Sequence, residues 1–316
     1  MVTENRMPAS ITDLTFSPLV VGTAQFGLPY GIANRTGQPR FSEVCDIIRC
    51  AIENGATTFD TAAVYGKSEE ILGRALHEIG AHVQVTIITK AAAVSKMDKK
   101  QTPAHVDKWI RGSVETSLKR LRLEQLPLCL FHDSSDVEYM DVLLGLKEKG
   151  LVKHVGVSVM RPDQFDAVLS TPGVEAIQIA ASLFDQRMLR SGKLARAVRS
   201  GMVVFIRSIY LQGLIVMPED AIHEALRTVI PVRRQLETVA SEAGMSIAEM
   251  ALRYAMSLPG VTGVLTGVET VGQMKENAAM ARRGTLDESL MRKIAQAVPD
   301  FPETILFPWH WPGAIR

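Results

Sequence analysis

The chain has little of what marks a specialised protein. Its 316 residues hold three cysteines, Cys45, Cys50 and Cys129, which form neither a Cys-x-x-Cys pair nor a cluster with histidine. That argues against a disulfide framework and against structural zinc. The remaining histidines show no metal-ligand spacing. The formal net charge is +1 with 22% charged residues, so no overall field draws in nucleic acid or an acidic membrane. No apolar run reaches the ~20 residues a bilayer requires, and the polar start MVTENRMPAS lacks the pattern of a secretory leader. The expectation is a cytoplasmic protein with a small-molecule partner, no nucleic acid and no membrane. Low-complexity linkers, charge blocks and short internal repeats are also missing, which favours a single domain over residues 1–316.

What is present is alternation. Apolar, β-rich runs at 19–26, 56–60, 83–90, 126–132, 153–158, 174–180, 202–209 and 261–267 are separated by stretches of helical period. In SEVCDIIRCAIENG, residues Val44, Ile47, Ile48, Ala51 and Ile52 share one face, and Gly55 supplies a stop. Cys45 and Cys50 lie in the same helix and are expected to be buried. SIAEMALRYAMSLPG opens with Ser246 and Glu249 as a capping box. Continuously apolar strands suit a parallel sheet covered on both faces. Eight of them with helical crossovers predict a (β/α)8 TIM barrel, typically about 250 residues, the surplus going into extra loops at the C-terminal face. An open doubly wound sheet is the rival, since periodicity does not show closure. Residues 11–18 are expected to form an N-terminal hairpin over the barrel floor.

In such a barrel the functional groups stand at the C-terminal strand ends. Those ends carry Asp60 with Tyr65 just beyond, Lys90, His132, Ser158, Gln178, Ser208 and Gly267. A phenol with its ordinary pKa of ~10 needs a nearby cation to work as an acid–base group at neutral pH, and Lys90 can supply one. Asp60 is the natural counter-ion for a lysine in a closed site. A neutral His132 can donate a hydrogen bond to a carbonyl oxygen. Such a set protonates a carbonyl oxygen while hydride reaches the carbon, and hydride implies a nicotinamide. Singly, each residue has a plain explanation as a cap, a packing residue or a solvated strand end. Jointly, at successive junctions, they read as a site.

These residues also resemble a known family. GATTFDTAAVYGKSEEILGRAL and SVETSLKRLRLEQLPLCLFH are similar to the two signatures of the aldo-keto reductases, with ITK at 88–90 resembling the lysine strand between them. The likeness extends from about Val20 to Asn277 through VGVS, IQIA, RSIYLQGL and GVETVGQMKEN. It implies a barrel that binds NADP or NAD without a Rossmann domain and acts on a carbonyl or sugar substrate. By position it implies Tyr65 as general acid, Lys90 and Asp60 tuning it, and His132 orienting the carbonyl. Gly22 and Thr23 match a cofactor contact, and Ser158 and Gln178 the carboxamide. Tyr210 matches an aromatic under the nicotinamide, and Ser208, Leu211 and Gly213 the pyrophosphate loop. Glu276 and Asn277 match adenine contacts.

Two departures matter. Val159 replaces the family's usual Asn after Ser158. Gly267, Glu269 and Gln273 stand where NADP users often carry basic residues, which shifts the expectation toward NAD. Phe26 and Tyr30, in the loop after the first strand, are the substrate-pocket candidates, and the tail LFPWHWPGAIR is expected to fold over the barrel mouth, form a subunit contact or pack on outer helices, the last being favoured. The leading alternative is an NAD-linked aldose or alcohol dehydrogenase. From another class, the resemblance also allows a cofactor-binding regulatory subunit that senses redox state.

Overall fold

Eight short strands run parallel and close on one another in the computed structural model, which describes residues 11–34, 37–97 and 102–312. They are β1 (Leu19–Gly22), β2 (Thr58–Asp60), β3 (Thr86–Ala91), β4 (Leu126–Phe131), β5 (Val152–Val159), β6 (Ala176–Ala180), β7 (Val203–Arg207) and β8 (Gly263–Gly267). Each pairs with its sequence neighbour, and Leu19 opposite Val264 begins the register that closes β1 on β8. The chain is therefore a (β/α)8 barrel, and the open-sheet rival falls. No described helix is long and apolar enough to cross a membrane.

The outer helices follow the apolar periodicity. After β1 comes α1 (Phe41–Glu53), after β2 α2 (Ser68–Glu78), after β3 α3 (Pro103–Leu121), and after β4 α4 (Met140–Glu148). The second half supplies α5 (Phe165–Ser170), α6 (Lys193–Arg199), α7 (Ile230–Glu242), α8 (Ile247–Met256), α9 (Val271–Arg282) and α10 (Glu288–Ala297). In α1 Val44, Ile47, Ile48 and Ala51 of the expected face are buried and Ile52 is half-buried, Cys45 and Cys50 are buried as well, and Gly55 takes a φ of +80° just past the end. At α8 half the expected capping box forms: Ser246 Oγ accepts from the Glu249 N–H at 3.1 Å. The Glu249 carboxylate turns instead to Arg253 at 2.8 Å and Arg283 at 2.6 Å, because a buried charge gains more from two guanidiniums than from one backbone N–H.

Strand alternation sorts the core into two compartments. Val21, Phe59, Ile87, Cys129, Val157, Ile177, Val204 and Val264 face the helices. Val20, Ile88, Leu128, Leu130, Ala176, Val203, Phe205 and Leu265 fill the barrel. Gly156 belongs to the inner set, where a Cβ would stand 2.2 Å from the Ala176 carbonyl oxygen. The floor differs from expectation: residues 11–18 include no strand, so no hairpin forms among them. Ile11, Leu14 and Phe16 plug the barrel bottom as irregular chain, with Phe16 edge-on to Phe205 at 5.1 Å between ring centroids. Its anchoring is through side chains, with His154 lying 2.7 Å from Asp13 and 2.9 Å from Glu175.

The tail also departs from expectation. Phe307 is buried, stacked on Trp309 and lying under the Arg187 guanidinium at 4.8 Å. Leu306 and Pro308 pack beside Met160, Ala180 and Ser208, against the loops that follow β5, β6 and β7.

Candidate active site

The same alternation carries polar residues into the barrel mouth. Two residues along each strand from an inward position stand Asp60 after Thr58, Lys90 after Ile88, His132 after Leu130, Ser158 after Gly156, Gln178 after Ala176, Arg207 after Phe205 and Gly267 after Leu265. Sequence reading named six of these seven. At β7 it took Ser208, one residue out of step, and missed Arg207.

The centre of the mouth is a buried polar knot. Lys90 Nζ donates to Asp60 Oδ1 at 2.6 Å and to the Thr61 carbonyl at 2.9 Å. Gln178 Nε2 donates to Asp60 Oδ2 at 2.8 Å. A carboxylate accepts only, so the amide nitrogen must face Asp60 and the amide oxygen must turn away. That oxygen is buried and has no hydrogen-bond partner among the described residues.

Tyr65 leans over this knot. Lys90 Nζ lies 5.2 Å from its ring centroid, and the His132 ring meets it edge-on at 5.6 Å. The loop bearing Tyr65 is held from both sides. Ser68 Oγ donates to the Thr23 carbonyl at 2.7 Å, and a Cβ on Gly27 would stand 2.0 Å from the Tyr65 carbonyl oxygen. Only glycine permits that approach.

Burial raises the Tyr65 phenol above its ordinary pKa, and the Asp60 carboxylate adds to the effect while Arg207 opposes it. Burial thus sets the resting state, and Tyr65 keeps its proton at neutral pH. Burial pulls Lys90 down, with Asp60 pulling it back up. His132 falls to about 3, first through burial and then through Lys90 and Arg207, so the imidazole is neutral.

A cleft of about 410 Å³ runs from Asp60 and Tyr65 across β8 to α9. Of the predicted residues, Gly22, Thr23, Tyr30, Gln178, Ser208, Tyr210, Gly213, Gly267, Glu269, Gln273, Glu276 and Asn277 also line it. Lys90 and His132 sit just behind Tyr65, and Ser158 touches the lining through Arg207, whose Nε donates to its Oγ at 3.2 Å.

Two expectations need correction. Phe26 has no exposed surface and belongs to the hydrophobic core, because Ala24–Gly27 coils into a helical turn that points it inward. Leu211 is buried beneath its loop, with its N–H already donated to the Ser208 carbonyl at 2.9 Å. Tyr210 reaches toward α9, its hydroxyl 3.5 Å from Asn277 Oδ1, while the side chain at the inward tip of β7 is Arg207. The loop between them is strained: Ser208, Leu211 and Gln212 hold φ values of 63°, 45° and 52°. Left-handed backbone costs an L-residue roughly 1–2 kcal/mol, and such positions cluster at ligand sites.

The cleft suits a nicotinamide dinucleotide. The orphaned Gln178 oxygen can accept from a carboxamide NH2, and the bare backbones of Gly22, Gly213 and Gly267 admit close approach. A Cβ on Gly267 would strike the Gln25 amide at 2.3 Å. No metal-binding cluster occurs among the described residues. A second hollow of about 710 Å³, outside the barrel against Trp109 and Arg120, holds none of the predicted site residues.

The chain is similar to known proteins along most of its length. The profile of the aldo/keto reductase family matches residues 18–299. D-arabinose 1-dehydrogenase of Saccharomyces cerevisiae is 27% identical over 87% of this chain and 85% of its own length. The NADH-specific methylglyoxal reductase of Escherichia coli is 25% identical over 93% of this chain and 99% of its own. The holo form of aldo-keto reductase AKR11C1 from Bacillus halodurans superposes with a TM-score of 0.76 at 20% identity, covering 93% of this chain and 96% of that one, which is a likeness of fold. With the barrel, the cleft and a family match over most of its length, the chain belongs to the aldo/keto reductase family of oxidoreductases.

Proposed function

We propose that the protein interconverts an aldehyde or ketone and the corresponding alcohol with a nicotinamide cofactor, Tyr65 carrying the proton. The observation behind this reading is the Tyr65 phenol held over Lys90 and edge-on to His132, above the Asp60–Lys90–Gln178 knot. Gln178, with Ser158 beside it, would hold the carboxamide, and the bound nicotinamide would supply or accept the hydride. In reduction Tyr65 donates its proton to the carbonyl oxygen. His132, being neutral, keeps an N–H that orients that oxygen. Lys90, close to the phenol ring, lowers the cost of the phenolate left behind, and Asp60 and the Thr61 carbonyl hold the ammonium in place.

The cofactor we propose is NAD. At the α9 end the described lining residues are Glu269, Gln273, Glu276 and Asn277, and none is basic. Among the described residues a 2′-phosphate there would stand beside the Glu276 carboxylate and the Gln273 amide. A relative named for NADH specificity agrees with this choice.

A second reading is an NAD-linked aldose or alcohol dehydrogenase, favoured by the relative named for D-arabinose. Oxidation runs the same residues in reverse, with the Tyr65 phenolate accepting the proton of the alcohol. Titration of the purified protein with NADH and with NADPH, followed by quenching of tryptophan fluorescence, tests the reading. Tighter NADH binding and aldehyde-dependent oxidation of NADH are expected. Binding of neither dinucleotide would overturn it.

A further inference from the structure

The hollow outside the barrel shares no lining residue with the dinucleotide cleft. One face of α3 runs along it: Lys108, Trp109, Gly112, Thr116 and Arg120 follow at helical spacing over about 18 Å of the axis. The loops after β2 and β3 add Ala63, Ala92 and Met97. The middle of the hollow is apolar. Trp109 spends its indole N–H on the Ala92 carbonyl at 3.1 Å, so ring carbon is what it offers a ligand. The hydroxyls of Ser113 and Thr116 are turned to backbone, 2.9 Å from the Ala92 nitrogen and 2.7 Å from the Gly112 carbonyl oxygen. Gly112 has nothing within 4 Å of an ideal Cβ, so the space over that turn is open.

The charge is one-sided, for no carboxylate lines the hollow among the described residues. Arg120 is already committed, its Nη1 donating to the Ala63 carbonyl and to Glu69, each at 3.3 Å. His105 is held by Thr102, its Nδ1 lying 3.1 Å from the hydroxyl oxygen. Lys108 forms no ion pair among the described residues, and the carboxylate beside it in sequence, Asp107, is taken by Arg111 at 2.7 Å. An uncompensated ammonium therefore stands next to an indole at one end of an apolar groove.

We propose that this hollow is a second ligand site, taking an aromatic carboxylate with its ring against Trp109 and Gly112 and its anion on Lys108. The volume of about 710 Å³ lies within the range of small-molecule sites. A bare inorganic anion would leave the indole and Met97 without a partner, and a neutral ring would leave Lys108 without one. The inference stands apart from the oxidoreductase reading. Because the two linings are separate, the ligand and a dinucleotide bind together. The occupant lies against the chain behind the reacting groups: Ala63 precedes Tyr65 by two residues, Ala92 follows Lys90 by two, and the Ala63 N–H donates to the Lys90 carbonyl at 3.0 Å.

The experiment titrates 2-naphthoate and its neutral counterpart 2-naphthamide by calorimetry into the wild type, Lys108→Glu and Gly112→Leu, with and without saturating NADH. Fluorine NMR of the protein carrying 5-fluorotryptophan locates the ligand, the Trp109 resonance being assigned with Trp109→Phe. The other two tryptophans, Trp309 and Trp311, belong to the tail that packs against the loops of the barrel mouth, so they report on the cleft side. Naphthoate should shift the Trp109 resonance most and should bind equally well with NADH present. It should bind more tightly than the amide by about three- to fivefold, the scale of one solvent-exposed ion pair. Lys108→Glu should abolish that preference. Gly112→Leu fills the open turn with a better helix former and should weaken both ligands several-fold. Absence of naphthoate binding overturns the proposal, as does unchanged affinity in Gly112→Leu or a preference that survives Lys108→Glu. Displacement by NADH, or shifts confined to the tail tryptophans, would place the naphthoate in the cleft and overturn it as well.

Discussion

Lys90 Nζ and Asp60 Oδ1 stand 2.6 Å apart with both side chains buried, and the second Asp60 oxygen is taken by Gln178 from β6. One carboxylate thus ties three strands together at the barrel mouth. Removing one partner of a buried pair leaves the other uncompensated, at a cost of about 3–5 kcal/mol. Lys90→Met should therefore unfold at clearly lower urea than the wild type. Lys90→Met/Asp60→Asn should regain at least about 1 kcal/mol of that loss, because the stranded charge is gone. Additive losses in the double variant would show that the pair is not coupled.

Tyr65→Phe removes only the phenol oxygen. General acid catalysis by one side chain contributes about 10²–10⁴-fold, so kcat should fall within that range while NADH still binds. Steady-state turnover of 4-nitrobenzaldehyde and NADH titration check this together. Turnover within a factor of a few of the wild type would place the proton donor elsewhere.

The barrel was legible because its strands obey two simple rules, apolar runs of strand length and helical crossovers between them. The same alternation explains what was missed. Val203 and Phe205 face inward, so Arg207 must as well, yet a strand drawn to residue 209 made Ser208 look like its functional end. Phe26 was misread as a loop residue beyond the first strand: β1 ends at Gly22, and the helical turn that follows buries the ring. The Asp60–Lys90–Gln178 knot depends on closure of the barrel. Residues 118 apart in the chain meet there at 2.8 Å, and local pattern does not encode such a distance.

Gly156 tests the packing of the barrel interior. A Cβ there would stand 2.2 Å from the Ala176 oxygen and 2.7 Å from Leu130 Cδ2, neither of which is free to retreat inside a closed barrel. Gly156→Ala should cost about 2–3 kcal/mol through overpacking. Gly112, in α3, has nothing within 4 Å of its ideal Cβ, so Gly112→Ala should stabilise by roughly 0.5–1 kcal/mol. Urea midpoints that moved in the same direction for both would contradict this account.

Gln273 offers a test of cofactor choice. It lines the α9 end of the cleft, and its Oε1 accepts from the Glu269 N–H at 2.7 Å. Gln273→Arg brings a cation to that end and should tighten NADPH binding relative to NADH by about tenfold, the scale of one charge-assisted contact. An unchanged ratio of the two dissociation constants would put the adenosine 2′ position somewhere else.

His132 and Asp136 make opposite contributions to the pH dependence of stability. His132 drops from 6.5 to about 3, so below its ordinary pKa the unfolded chain takes up a proton that the folded chain refuses. Its contribution weakens as pH falls from 6.5 toward 3. At 1.36 kcal/mol per unit the loss between about pH 7 and about pH 4 is on the order of 3 kcal/mol. Asp136 rises from 3.8 to about 6, chiefly through burial, against the pull of the Val94 N–H. The folded chain therefore holds the Asp136 proton more tightly, and stability from this group grows as pH falls from 6 toward 3.8. The two effects offset each other in the wild type, so single variants should separate them. Relative to wild type, His132→Gln should gain stability on acidification and Asp136→Asn should lose it. Urea denaturation at about pH 7 and about pH 4 reads both signs, and parallel behaviour of the two variants would refute the opposed assignments.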